Sequence, residues 1–285
     1  DPRKVQHFPK FAWPRVINPS IKFPINENSI EDLVRLENKS ISQIKEVLLE
    51  NPDDIACMIL EPIQGEGGDN HFRPEYFKMV KELSLENDFL LIYDEVQTGI
   101  GITGKMWAHH HFCEVDCSLE CISHCKSTEP DVISFGKKTQ CCGIFAGDRI
   151  NDIDNHVFKE SSRINSTFGG NLIDMVRFTI YLELIEKENL VKKAAENGGY
   201  LLSKLLELQK NSQGLVSNSR GRGLFCAYDL PTPRHRDQLI QNMAKEGALI
   251  LGCGHRSIRF RPHLNISKDE IDMAMLMMKN SLAHL

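Results

Sequence analysis

Three apolar runs in the first half of the chain each break off into polar residues that could do chemistry. Residues 55–60 (IACMIL) lead into EPIQGEGGDN, residues 89–93 (FLLIY) into DEVQTGIGITGK, and residues 132–135 (VISF) into GKKTQCCG. Glu61, Gln64, Glu66, Asp94, Gln97, Lys137 and Lys138 therefore all fall just beyond a stretch that reads as buried strand. A carboxylate in such a place is costly unless a cation or hydrogen-bond donors meet it, so Asp94 calls for a partner. A lysine in the same sheltered place suits covalent work, because desolvation disfavours its charged form and an imine carries no full charge at its tip. An acid and a lysine flanking one heterocycle are the two parts of a pyridoxal phosphate site: the lysine takes the cofactor as an imine, and the acid keeps the ring nitrogen protonated.

Those residues need a scaffold that brings strand ends to one rim. Strand patterns at 55–60, 89–93 and 132–135 alternate with a helical pattern at 74–86, which argues for a mostly parallel sheet with helices over it. In open α/β sheets, ligands sit beyond the carboxyl ends of the strands. A long helical stretch at 172–210, broken near Glu188 and Asn189, leads to a segment of different character: strand 223–228, helix 233–246, strands 248–251 and 257–260, and helix 268–284. The division expected is an α/β unit over residues 1–187 and a smaller α+β domain over 188–285. At 285 residues, 41% hydrophobic and 26% charged, the chain can bury a sizeable core. A net charge of −5 with no Lys/Arg block leaves no footprint for a nucleic-acid partner. No apolar run approaches the roughly 18 residues a membrane-spanning helix needs, so no membrane partner is expected.

In this order and spacing, EPIQGEGGDN, DEVQTGIGITGKMWAHHHF, SFGKKTQCCG, RGRGLF and SIRFRPHL resemble the class III pyridoxal-phosphate aminotransferases. Within that class, the runs EGGDNH, TGKMWAHHHF and CGHRSIRFRP are similar to the eukaryotic, mitochondrial 4-aminobutyrate branch. The resemblance implies a fold-type I α/β transferase with pyridoxal 5'-phosphate as cofactor. It also implies a homodimer in the mitochondrial matrix that converts 4-aminobutyrate and 2-oxoglutarate to succinate semialdehyde and glutamate. Position by position, it makes Asp94 the partner of the pyridinium nitrogen, Gln97 the neighbour of the cofactor's phenolic oxygen, and Glu61 a neighbour of its ring substituents. Lys138 becomes the Schiff-base lysine, chosen over Lys137 because the family's lysine is followed by three residues and a glycine pair, where this chain has Thr139, Gln140, Cys141 and then Cys142-Gly143. Thr167, in INSTFGG, becomes the hydroxyl that reaches the cofactor phosphate across the dimer interface. Glu66 and Arg259 become a gate: paired while an ω-amino acid is bound, and parted to admit the second carboxylate of 2-oxoglutarate.

The chain also departs from that pattern. A cysteine-rich segment at about 113–127 has no counterpart in the family, and Cys113, Cys117, Cys121 and Cys125 fall every fourth residue within it. Four thiols at that spacing drift round a helix by about 40° a step and do not converge on one tetrahedral ion, so no metal site is expected. Nine scattered cysteines in a chain of this size suit a reducing compartment. Cys142 stands where the family has glycine. The segment that carries the family's phosphate cradle, its carboxylate-binding arginine and the cysteines that hold an iron-sulfur cluster in some members is expected to lie before the first residue of this sequence. Two alternatives stay open: another ω-aminotransferase of ornithine or β-alanine type, and a truncated paralogue without turnover.

Overall fold

The computed structural model describes residues 5–113 and 126–285, so Cys117, Cys121 and Cys125 lie outside the described residues. Among the described residues, no group of three or more His, Cys, Asp or Glu side chains could hold a metal ion.

Asn26 opens the first long helix, α1 (Glu27–Glu50), with a capping box: its side chain accepts from Ser29 N–H (2.9 Å), and the Ser29 hydroxyl accepts from Asn26 N–H (2.8 Å). This helix went unread in the sequence, although Ile30, Leu33, Ile41, Ile44 and Leu48 recur at helical spacing; its buried positions are Leu33, Glu37, Ser40 and Ile44. Glu37 is buried because Arg73 Nε donates to it at 2.9 Å.

Strands β1 (Cys57–Leu60), β2 (Leu90–Asp94) and β3 (Val132–Phe135) pair in parallel, in that spatial order. Helix α2 (Pro74–Glu86), which starts on a proline that needs no N–H partner, crosses over between β1 and β2 and buries Phe77 and Val80 against Leu91 and Tyr93. The amino end of β3 is pinned by Asp131, which accepts from Lys81 Nζ (2.9 Å), Arg149 Nη1 (2.8 Å) and Leu91 N–H (2.7 Å). A fourth strand, β4 (Gly143–Ala146), returns antiparallel on β3, Phe135 pairing with Gly143. Four residues on an exposed edge carry too little alternation to read as a strand.

Helices α3 (Leu172–Lys187) and α4 (Leu190–Asn211) meet at Asn189, whose φ of +53° breaks the helical run where its pattern predicted. The second sheet is wholly antiparallel, in the order β5 (Ser217–Arg222), β6 (Phe225–Asp229), β8 (Ser257–Phe260), β7 (Leu251–Cys253). Helices α5 (Pro233–Lys245) and α6 (Lys268–Leu282) pack on it around Tyr228, Leu239, Ile258 and Met278. Three readings shift here. The strand expected at 223–228 begins at Phe225, because Gly223 turns the chain. The strand expected at 248–251 is Leu251–Cys253, after a turn at Gly247. Strand β5 was missed because SNSRGR has no apolar residue, although Ser219 and Arg220 are buried.

The two sheets meet at a small apolar cluster of Ile63, Ile102, Ala194, Leu224 and Phe225. Backbones touch there: a Cβ on Gly198 of α4 would stand 1.9 Å from the carbonyl carbon of Gly223. Gly223 in turn lies at φ +53°, and a Cβ on it would stand 2.3 Å from the carbonyl carbon of Thr103.

Candidate active site

Because β2 and β3 run parallel, their carboxyl ends reach the same rim, and Asp94 stands opposite Ser134 in register. Asp94 Oδ1 accepts the Val96 N–H (3.0 Å) and the Ser134 hydroxyl (3.2 Å). These are the donors a strand-end acid needs, and they fix the carboxylate at the rim. Beyond β3, residues 136–142 carry the lysines through a tight turn in which Lys137 and Gln140 both adopt positive φ, +55° and +57°. Lys138 Nζ donates to the carbonyl oxygen of Gln97 at 2.7 Å, so the amine lies against the segment that follows Asp94. Burial lowers the Lys138 pKa to about 8, with Arg261 adding to the effect and Glu95 opposing it.

Lys138 opens into a cavity of about 610 Å³. Its polar wall includes Glu66, Gln97, Lys137, Arg259 and Arg261, and its apolar wall includes Tyr181, Leu184 and Ile185. Arg259 Nη1 and Glu66 Oε2 are 2.9 Å apart, with the arginine mostly buried and the glutamate half-exposed.

Of the residues expected in the site, Lys138, Gln97, Glu66 and Arg259 thus share one cavity wall. Glu61 accepts the Gly65 N–H at 2.9 Å and closes its own loop, and burial raises its pKa. Glu61 and Asp94 stand on the rim rather than in the cavity lining. Thr167 lies on an exposed turn, outside the cavity lining of this chain.

Two residues of the site were missed. Glu95 is fully buried beside Asp94 and accepts from the Thr98 hydroxyl, the N–H groups of Ala108 (3.0 Å) and His109 (2.9 Å), and His109 Nδ1 (2.9 Å). Burial pushes its pKa up, but the donors from His109 and Thr98 outweigh it and leave Glu95 below its ordinary value. Its signal was the acid doublet itself, since a second strand-end carboxylate also demands donors. Arg261 lines the cavity two residues beyond Arg259, and the i, i+2 spacing in SIRFR was its signal, because alternate residues of an extended chain share a face. Its guanidinium lies 3.2 Å from the centroid of the Phe225 ring.

With this geometry in view, comparison with known proteins is informative. The family model described as "Aminotransferase class-III" matches residues 5–282. An L-lysine-epsilon aminotransferase from Mycobacterium bovis is 43% identical over 281 residues, covering 99% of this chain and 59% of that protein. A 4-aminobutyrate aminotransferase from Dictyostelium discoideum is 32% identical over 274 residues, covering 94% of this chain and 52% of that protein. Among solved structures, a lysine aminotransferase from M. tuberculosis in its internal aldimine form is 43% identical with a TM-score of 0.90, covering all of this chain and 61% of its own. The chain thus spans about 59% of the length of the lysine aminotransferases it matches.

Proposed function

The chain belongs to the class-III aminotransferase family, and from that membership we propose that the full-length protein moves a terminal amino group from an ω-amino donor to 2-oxoglutarate, with Lys138 as the covalent cofactor lysine. Enzymes of this class use pyridoxal phosphate, which when bound supplies an electron sink next to the reacting carbon. The residues present suit it: a cavity of about 610 Å³ is within the range of small-molecule sites, with a buried amine in its wall and an oriented acid on the neighbouring strand.

The observation that carries this reading is the placement of the Lys138 amine, buried in that wall with Nζ 2.7 Å from the Gln97 carbonyl oxygen, where burial also lowers its pKa to about 8. An amine with a pKa close to neutrality can attack a carbonyl and can also carry a proton in either direction between two carbons, where general acid–base groups work best. Asp94, held by Ser134 and Val96, presents a carboxylate to a ring nitrogen without spending side-chain freedom. The Gln97 carbonyl holds the Lys138 amine at the rim, and its side chain borders the cavity. Glu61 shapes the loop beside it. While Glu66 and Arg259 are paired, the charge of Arg259 is offset locally, and that part of the wall suits the methylene chain of an amino donor. Parted, Arg259 can meet the second carboxylate of 2-oxoglutarate, which departs as glutamate while the donor departs as an aldehyde. In this reading the protein is a homodimer, and Thr167 on its exposed turn offers a hydroxyl to the cofactor phosphate of the partner subunit.

For the donor, the greater identity to lysine aminotransferases, 43% against 32%, favours the side-chain amine of L-lysine. A second reading, 4-aminobutyrate, draws on the runs TGKMWAHHHF and CGHRSIRFRP. Glutamate formation by the full-length protein with 2-oxoglutarate and L-lysine, 4-aminobutyrate, L-ornithine or β-alanine decides between them. L-Lysine is expected to give the highest kcat/KM, and Lys138→Ala to lower turnover by about 1,000-fold or more. No glutamate from any of the four donors would remove the transaminase reading.

A further inference from the structure

Glu66 reaches Arg259 from a loop, residues 64–70, that belongs by sequence to the mixed sheet but is fastened to the antiparallel one. The loop first closes on itself, as Gln64 and Asn70 exchange backbone bonds of 3.0 Å and Asp69 N–H donates to the Gly65 carbonyl (3.0 Å). Gly65 N–H also donates to Glu61 (2.9 Å) and Asn18 to the Gln64 side chain (2.6 Å), and the ties of the loop's far half run to the second sheet. Gly254 N–H donates to the carbonyl of Glu66 itself at 2.8 Å. Arg220 Nε donates to the Asp69 carbonyl at 2.8 Å, and its Nη2 donates to the Gly68 carbonyl. Arg261 Nη2 is ion-paired with Asp69 Oδ1. Asp69 is 0% exposed and Arg220 3% exposed. Arg220 is held in turn by Asp229 (2.9 Å) and the Ser257 hydroxyl (3.1 Å), which anchors the fastening in β5, β6 and β8. Buried charges persist only when closely paired, and removing one leaves the others uncompensated.

We propose that Asp69 is a positioning residue for the Glu66–Arg259 pair: through Arg261 and Arg220 it fastens the Glu66 loop to the sheet that carries Arg259, so the pair opens by side-chain rotation over a fixed backbone. The inference rests on the gate reading above and adds what sets the gate. With both backbones held, Glu66 stays within reach of Arg259, and the closed state costs little loop ordering. Once the loop is loosened, Glu66 spends less time on the guanidinium, and Arg259 faces the cavity as a bare cation. The amino-donor half-reaction then meets a guanidinium whose charge is no longer offset, while the dicarboxylate half-reaction loses nothing.

The test uses the full-length holoenzyme and measures the two half-reactions separately, with amide hydrogen exchange alongside. Asp69→Asn removes the charge and keeps the shape. It is expected to raise KM for the amino donor about fivefold or more, to leave kcat and KM for 2-oxoglutarate within about twofold, and to speed exchange at the Gly254 amide. Asp69→Glu, which restores the charge, is expected to recover part of the donor KM. Arg261→Lys keeps a positive charge at the cavity but loses the fork that grips Asp69, and carries the test if Asp69→Asn does not fold. Glu66→Gln separates the two ideas. If Glu66→Gln shifts the two half-reactions apart while Asp69→Asn and Arg261→Lys leave them together and Gly254 exchange unchanged, the positioning role is overturned and the gate stands. If Glu66→Gln itself leaves the half-reactions together, the gate reading fails and the role of Asp69 falls with it.

Discussion

Burial leaves the Lys138 amine with a pKa of about 8 against an ordinary 10.5, so the folded protein holds this proton less tightly than the unfolded chain does. Between those two values the unfolded state binds more protons, and stability rises with pH; below about 8 the penalty of burying the charge is fully present. Lys138→Met keeps the stem and removes the charge. In the cofactor-free protein it is expected to add about 2–3 kcal/mol at pH 7, a gain that fades as pH climbs from 8 to 10.5, and urea melts across that range check it. Lys138 was legible in the sequence because it follows an apolar run in a recognisable motif, as do Gln97 and Glu66. The partners of Glu95 and Asp69 were not: the acid doublet signals that Glu95 needs donors, but not which residues supply them. Those donors lie 14 positions away for Glu95 and His109, and 192 positions away for Asp69 and Arg261. Local pattern cannot show such partners.

Helix α4 carries two adjacent glycines with opposite prospects. At Gly198 a methyl group would collide with the Gly223 backbone, whereas at Gly199 it would meet nothing within 4 Å. Gly198→Ala is expected to cost about 3 kcal/mol by overpacking the joint between helix and hairpin. Gly199→Ala is expected to stabilise by about 0.5–1 kcal/mol through reduced backbone entropy of the unfolded chain. Thermal melts followed by circular dichroism give both numbers, and equal effects at the two positions would refute the close approach. The same contrast explains which elements the sequence disclosed. Helix α2 and strands β3 and β8 carry apolar periods and appear where expected, because their own residues form the core. Strand β5 is held by polar groups, Arg220 on Asp229, and this pairing exists only after folding.

At the scale of the molecule, two cores around two sheets are coupled through the small cluster at Ile63, Ile102, Ala194, Leu224 and Phe225. Phe225 is fully buried and carries Arg261 on its ring, so it supports both the joint and the cavity wall. Phe225→Ala is expected to cost about 3–5 kcal/mol and to loosen the joint before either core. Trp107 packs against Phe145 of β4 at 6.0 Å and reports on the mixed sheet, while far-ultraviolet circular dichroism reports on both sheets. Their denaturant midpoints are expected to coincide in the parent and to separate in the variant; midpoints that stay together would show that the sheets do not depend on this joint. The hairpin between β3 and β4 has a kinetic meaning as well. Residues 136–142 are stapled at both ends, where Phe135 pairs with Gly143, so the segment bearing Lys138 has nowhere to retreat. An amine released there from a covalent bond would be held close to its former partner, at a high local concentration that would favour its recapture.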